Sequence, residues 1–171
     1  MSLSGWGFEG TIPNEPKFVM IVVPHTSNWD FIVGVEALFS IGFRISFLGK
    51  HTLFKWPLGL FMKWLGGVAV ERSVSRDRVA ETIAAFDSAE SFILAVAPEG
   101  TRKPVKDWKS GFYHVAHGAH VPIVPVAFDY GRKVVRLYPP FWTTGDADGD
   151  IRRIKNQYAG VVARNPDNFL L

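Results

Sequence analysis

The chain has 171 residues, 47% hydrophobic and 14% aromatic, enough apolar material for one packed domain and too much for a disordered chain. It has no cysteine, which excludes disulfides, thiolate nucleophiles and cysteine-ligated zinc and suits a cytoplasmic setting. The formal net charge of +3 is compatible with anionic small molecules or an anionic membrane surface and too weak to point to nucleic acid.

Met1 to Trp6 lacks the basic start and apolar stretch of a secretory leader. Trp6 to Ile12 reads as an edge strand, closed by the turn-forming cluster Pro13-Asn14-Glu15-Pro16. Phe18 to Val23 is short, rich in β-branched residues and closed by Pro24, the pattern of a buried strand. Phe31, Val35, Leu38 and Phe39 then recur at helical spacing, so a helix begins near Trp29.

Between strand and helix lies Pro24-His25-Thr26-Ser27-Asn28-Trp29-Asp30. On one helix, positions five apart point about 140° away from each other. His25 and Asp30 can therefore meet only if His25 stays in the loop and Asp30 lies in the first helical turn. A carboxylate accepting from one imidazole nitrogen fixes the tautomer and leaves the other nitrogen as a base. The same Asp30 can instead cap the helix, because Ser27-x-x-Asp30 has capping-box spacing. Spacing alone leaves both roles open.

Arg44 to Leu48 reads as the next strand, followed by Gly49-Lys50-His51. Leu53 to Leu65 is apolar apart from Lys55 and Lys63 and too short to span a bilayer, which needs ~20 apolar residues. It is either a core helix or an interfacial surface with Trp56 and Trp64 at headgroup level. Gly66 to Val70 is a strand; Arg72 follows it directly, at a helix start where anions bind. That helix runs to about Ala89, with Val79, Ile83 and Phe86 on one face. Phe92 to Ala97 is a strand ending in the loop Pro98-Glu99-Gly100-Thr101-Arg102. Gly100 lets backbone approach a ligand, Arg102 can grip a phosphate through paired hydrogen bonds, and Glu99 can accept from a hydroxyl or hold Arg102.

Lys109-Ser110-Gly111 precedes a helix to about Ala119. His114, His117 and His120 on it have no carboxylate at a useful spacing, so no metal is expected there. Val121–Phe128 and Lys133–Tyr138 read as a strand hairpin ended by Pro139-Pro140. Asp146 to Asp150 fails as a calcium loop because the sixth position is Ile151 and the twelfth Gln157. Asp148 or Asp150 is expected to cap a last helix over 151–163, and residues 164–171 to form a loosely held tail.

Four of these stretches share a resemblance. His25-Thr26-Ser27-Asn28-Trp29-Asp30 resembles the first motif of the glycerolipid acyltransferases that make phosphatidic acid from lysophosphatidic acid, with Pro24 where Asn is usual. Gly66-Gly67-Val68-Ala69-Val70-Glu71-Arg72 looks like the second motif, with Glu71 where Asp is commoner. Pro98-Glu99-Gly100-Thr101-Arg102 looks like the third, with Ala97 for the usual Phe, and Val121-Pro122-Ile123-Val124-Pro125-Val126 is similar to the fourth.

The resemblance implies acyl transfer from acyl-CoA or acyl carrier protein to a lysophospholipid-type hydroxyl, by default 1-acylglycerol-3-phosphate, with no metal or other cofactor. His25 would be the base and Asp30 its orienting partner. Arg72, Glu99, Gly100, Thr101 and Arg102 would hold the acceptor, with Lys50 and Lys109 as further basic positions. No Ser or Cys nucleophile is needed, and Gly-x-Ser-x-Gly is absent. The alternatives are a lipid esterase or hydrolase using the same His–Asp pair, or a non-catalytic lipid-binding module. Alternation of strands and helices predicts one α/β domain over 1–171 with a mixed, mainly parallel sheet. Its motif-bearing core spans about 18–128 and its C-terminal hairpin and helix 133–163. A peripheral position at the inner face of the membrane is expected.

Overall fold

The computed structural model describes residues 5–42, 46–50, 59–60, 64, 66–70 and 75–171. Its strands are β1 (Gly7–Glu9), β2 (Lys17–Val23), β3 (Ser46–Lys50), β4 (Gly67–Val70), β5 (Phe92–Val96), β6 (Ile123–Asp129) and β7 (Val134–Leu137). Its helices are α1 (Trp29–Ile41), α2 (Ser75–Ser88), α3 (Gly111–Gly118) and α4 (Ala147–Asn156).

The strands form one sheet in the order β1-β7-β6-β2-β5-β3-β4. Strands β2 to β6 run parallel, and β7 returns antiparallel to β6 with Asp129 opposite Val134. The hairpin, the mixed sheet and the α/β class follow the sequence reading.

The central strands are apolar on both sides because both sides are covered. Val19, Ile21, Val23, Leu94, Ile123 and Ala127 face α2, α3 and α4 through Phe86, Phe112, Tyr113, Ile154 and Tyr158. The alternate residues Phe18, Met20, Ile93, Ala95, Val124 and Val126 face α1 through Val33 and Ala37. A one-residue slip of β2 would exchange the two faces, so this period-two pattern pins its register and the position of His25 just beyond it.

From β2 the chain winds through β3 and β4 to β5 on one side, then crosses to β6 on the other side of β2. The C-terminal ends of β5, β2 and β6 thus flank the point where the winding reverses, the usual ligand-binding position of an open parallel sheet.

The C-terminal region differs from expectation. The last helix starts at Ala147 and ends at Asn156, and its cap is Asp146, which accepts from Gly149 N–H at 3.0 Å. Asp150 cannot cap because it is fully buried, accepting from the Tyr113 hydroxyl at 2.9 Å and from Thr144 N–H at 2.7 Å. Nor is the tail loose. Asn165 donates to Thr26, and Phe169 packs on the core. His117 pairs with Thr143 at 2.9 Å and stacks on Tyr113.

Candidate active site

Helix α1 starts directly at the C-terminal edge of the sheet, and Asp30 is in its first turn. The side chain is 1% exposed, and both its oxygens have hydrogen-bond partners. Its Oδ2 accepts from Thr26 N–H and Ser27 N–H, both at 2.7 Å. Its Oδ1 accepts from the Tyr130 hydroxyl at 2.7 Å. His25 Nδ1 stands 3.6 Å from Oδ2. That is ion-pair range but longer than a hydrogen bond. The two readings of the spacing are therefore compatible: Asp30 draws the backbone of residues 26 and 27 back over the helix start, and that curl carries His25 alongside it. The expected direct acceptance from the ring is replaced by a close approach, because two amides already occupy Oδ2. Catalytic hydrogen bonds are often this long without substrate and shorten in the complex.

The turn is held from outside as well. Asn165 donates to the Thr26 carbonyl at 2.9 Å through its side chain and to Thr26 Oγ1 at 3.2 Å through its backbone. Trp6 packs edge-on against the Tyr130 ring at 4.8 Å, and the Arg164 guanidinium lies 5.9 Å from that ring. Burial, then the bond to Asp30, raises the Tyr130 pKa, so the phenol stays a donor. Neither Tyr130 nor Asn165 is singled out by the sequence motifs.

Glu99, at the end of β5, is 5% exposed. Its Oε2 accepts from His25 N–H at 2.7 Å, across 74 residues of sequence. The local reading offered Arg102 or a hydroxyl as its partner; among the described residues it braces His25 instead. Gly100 has φ +65°, a left-handed conformation that glycine adopts without strain. A Cβ there would meet Lys109 Cε at 2.8 Å, so the Lys109 side chain lies directly on Gly100. Thr101 turns its hydroxyl into its own loop, accepting from Lys103 N–H at 3.2 Å. Arg102 is exposed and close enough for its charge to act on His25. Lys50 ends β3 on the same sheet edge, paired with Val70. Arg72 and most of Leu53–Leu65 lie outside the described residues.

Electrostatics divide the two acid–base groups. Burial lowers the His25 pKa from 6.5, Asp30 pulls it back up, and Arg102 adds to the lowering. The net result is a ring that is mainly neutral at pH 7. Glu99 is pushed up to about 7, chiefly by burial and further by Asp30, while the bond from His25 N–H and the Lys155 charge oppose the rise.

Glu99 also links pH to folding. In the unfolded chain the carboxyl titrates near 4.5 and in the folded one at about 7, so the folded state holds the extra proton between those values. That contribution to stability is complete below the lower value and is lost as pH rises through the upper one. Glu99→Gln keeps an acceptor for His25 N–H and removes the titration. It is therefore expected to stabilise the protein at pH 8 by about 1–3 kcal/mol relative to its effect at pH 4.5. Thermal melts of both proteins between those pH values check this; parallel curves would exclude a strongly perturbed Glu99.

A buried carboxylate beside a neutral imidazole, set where the winding of an open parallel sheet reverses, is the arrangement that general-base chemistry requires, with a basic, glycine-containing loop next to it. The sequence model of the family described as Acyltransferase matches residues 8–129, and the chain belongs to that family. It is 28% identical over 162 residues to 1-acyl-sn-glycerol-3-phosphate acyltransferase alpha of Ovis aries, covering 81% of this chain and 54% of that protein. It is 31% identical over 137 residues to the human beta enzyme of the same name, covering 77% and 48%. The chain thus spans about half the length of these curated relatives. The crystal structure of the 1-acyl-sn-glycerophosphate acyltransferase PlsC from Thermotoga maritima superimposes with a TM-score of 0.62 at 21% identity, covering 92% of this chain and 73% of that one. That likeness establishes the shared fold.

Proposed function

We propose that the chain transfers an acyl group from an acyl thioester to the hydroxyl of a lysophospholipid-type acceptor, with 1-acylglycerol-3-phosphate as the default, in phospholipid synthesis. The observation that carries this reading is the neutral His25 ring 3.6 Å from Asp30, on the edge that also carries the Glu99–Arg102 loop. His25, with Nδ1 toward Asp30, takes the acceptor's hydroxyl proton at Nε2. The alkoxide oxygen attacks the thioester carbonyl carbon and forms a tetrahedral intermediate. Its C–S bond then breaks, and the proton held by His25 passes to the departing thiolate, leaving an ester and a free thiol. Asp30 stabilises the transient imidazolium. Arg102 and Lys109, and the Arg72 and Lys50 positions, supply charge for the acceptor phosphate.

The test is thiol release with a panel of lysolipid acceptors, with and without Arg102→Ala. A transferase releases thiol only when acceptor is present; release without acceptor would identify a hydrolase, and none at all a binding module. Loss of one charged partner costs about 1.5–3 kcal/mol, so Arg102→Ala is expected to raise the KM of a phosphate-bearing acceptor about 10–100-fold and leave the donor KM unchanged. Equal weakening for acceptors without phosphate would remove Arg102 from the acceptor site.

The lipid substrate also requires a surface. Among the described residues no helix is long and apolar enough to cross a membrane. Trp29, Ile32 and Phe39 on α1 and Leu60 and Trp64 beyond it are exposed, and the Phe39 and Trp64 rings lie 6.1 Å apart. Leu60 and Trp64 are each 70% exposed, which favours the interfacial reading of the 53–65 segment at those two positions. We infer peripheral binding through this face. Ile32→Glu with Phe39→Glu is expected to reduce sedimentation with anionic vesicles severalfold while the melting curve stays unchanged. Undiminished sedimentation would move membrane contact to another face.

A further inference from the structure

A second basic feature lies on the far side of the loop that follows β5. A cavity of about 400 Å³ is lined by Lys106, Asp107, Arg152, Lys155, Asn156, Ala159 and Leu171, with the end of α4 forming one wall. None of these positions belongs to the four motifs, and the acceptor chemistry does not use them.

Among the lining side chains three are cations and one is a carboxylate, and Ala159 and Leu171 add apolar surface. Lys155 is held in place: its ammonium donates to the Lys106 carbonyl at 2.6 Å and lies 5.2 Å from the centre of the Trp108 ring. Trp108 is itself buried and packs against Tyr158 at 5.7 Å, so Lys155 is anchored against the core. Lys106 and Arg152 are exposed, and among the described residues neither side chain has an ion-pair partner. Burial lowers the Lys155 pKa while the charges of Asp107 and Glu99 raise it. Through its bond to the Lys106 carbonyl, Lys155 joins the cavity to the loop after β5, the loop that also carries Glu99. The loop is also braced: Lys109 N–H donates to the Pro98 carbonyl at 2.9 Å.

The lining selects a polyanion with neutral polar groups. A single phosphate would leave most of the volume empty and at least one cation unused. Asn156 and Asp107 add hydrogen-bonding groups of the kind that meet hydroxyl or amino functions. A cavity of this size accommodates a nucleotide rather than a bare ion. Resting on the acyl-transfer reading above, we propose that this cavity binds the phosphorylated nucleotide end of coenzyme A. The pantetheine arm then runs along the loop of residues 97–109 toward His25. The acceptor and the donor are thereby held by separate cation sets, Arg102 and Lys109 for one and Lys106, Arg152 and Lys155 for the other.

The test uses the whole chain and a double variant, Lys106→Glu with Arg152→Glu, both at exposed positions. One acyl group is supplied either on coenzyme A or on pantetheine, which lacks the nucleotide. The KM for acyl-CoA is expected to rise at least about tenfold, while the KM for acyl-pantetheine and for the acceptor stays within about twofold. An equal rise for both donors, no rise at all, or weakening confined to an acyl carrier protein donor would overturn the assignment. Calorimetry with adenosine 3′,5′-bisphosphate gives an arm independent of turnover: binding is expected with the unaltered chain and lost in the double variant. Failure of the unaltered chain to bind, or equal binding by both proteins, would overturn the proposal even if acyl transfer proceeds. Selective binding by a chain that transfers no acyl group would uphold the cavity and reject the transfer reading instead.

Discussion

His25→Ala is expected to lower kcat by about 10²–10⁴-fold, the usual contribution of a positioned general base, with the protein still folded. The fold survives because what anchors residue 25 is its backbone: the bond to Glu99 comes from the amide, which alanine retains. The ring itself is 26% exposed, so its removal opens no sealed cavity. The acceptor KM should change little, since the phosphate is assigned to Arg102 and its neighbours. Steady-state kinetics beside a circular-dichroism melt check the expectation. A folded variant with near-normal turnover would remove His25 from the mechanism.

Asp30→Asn is the second large effect, and geometry makes it the most informative change at the site. Asp30→Ala would strand the buried Thr26 and Ser27 amides and the Tyr130 hydroxyl, at about 1–3 kcal/mol for each unsatisfied group. Asparagine avoids this. Its oxygen can take the two backbone N–H groups, and its NH2 can donate to Tyr130, whose hydroxyl rotates from donor to acceptor. The turn and the position of His25 persist, but the negative charge is gone. That charge is what opposes the lowering of the His25 pKa by burial, and it is what would stabilise the imidazolium. Turnover is expected to fall by roughly 10²–10⁴-fold with the acceptor KM unchanged. A melting temperature close to that of the unaltered chain would accompany it. Full turnover in Asp30→Asn would reduce Asp30 to a helix cap.

The parts of this site written in local spacing were legible in the sequence. The apolar run of β2, its end at Pro24 and the helical period after Trp29 place His25 and Asp30 at one turn, and the loop after β5 is equally clear. Partners that arrive from distant sequence were not legible. Tyr130 reaches Asp30 across 100 residues, and Asn165 reaches Thr26 across 139. Glu99 has Arg102 three residues away, and spacing naturally suggests that pair, yet its partner is the His25 amide. The same cause moved the last helix. Asp148 and Asp150 are comparable caps on local grounds, yet Asp150 is buried and committed to Tyr113 and Thr144, and the cap falls to Asp146. The tail carries no strong pattern of its own, and its order comes from Thr26 and from the packing of Phe169.

The central claim is that a neutral His25 removes the acceptor proton. Its most direct test is the pH dependence of kcat/KM for the acceptor at saturating donor, measured for the unaltered chain and for Glu99→Gln. Burial holds the His25 pKa below 6.5, so the account predicts an acid limb centred below that value, falling tenfold per pH unit at its foot. The limb should persist in Glu99→Gln, because the group with a pKa of about 7 braces the base and is not the base itself. A limb that disappears with Glu99, or one centred above 6.5, would contradict it.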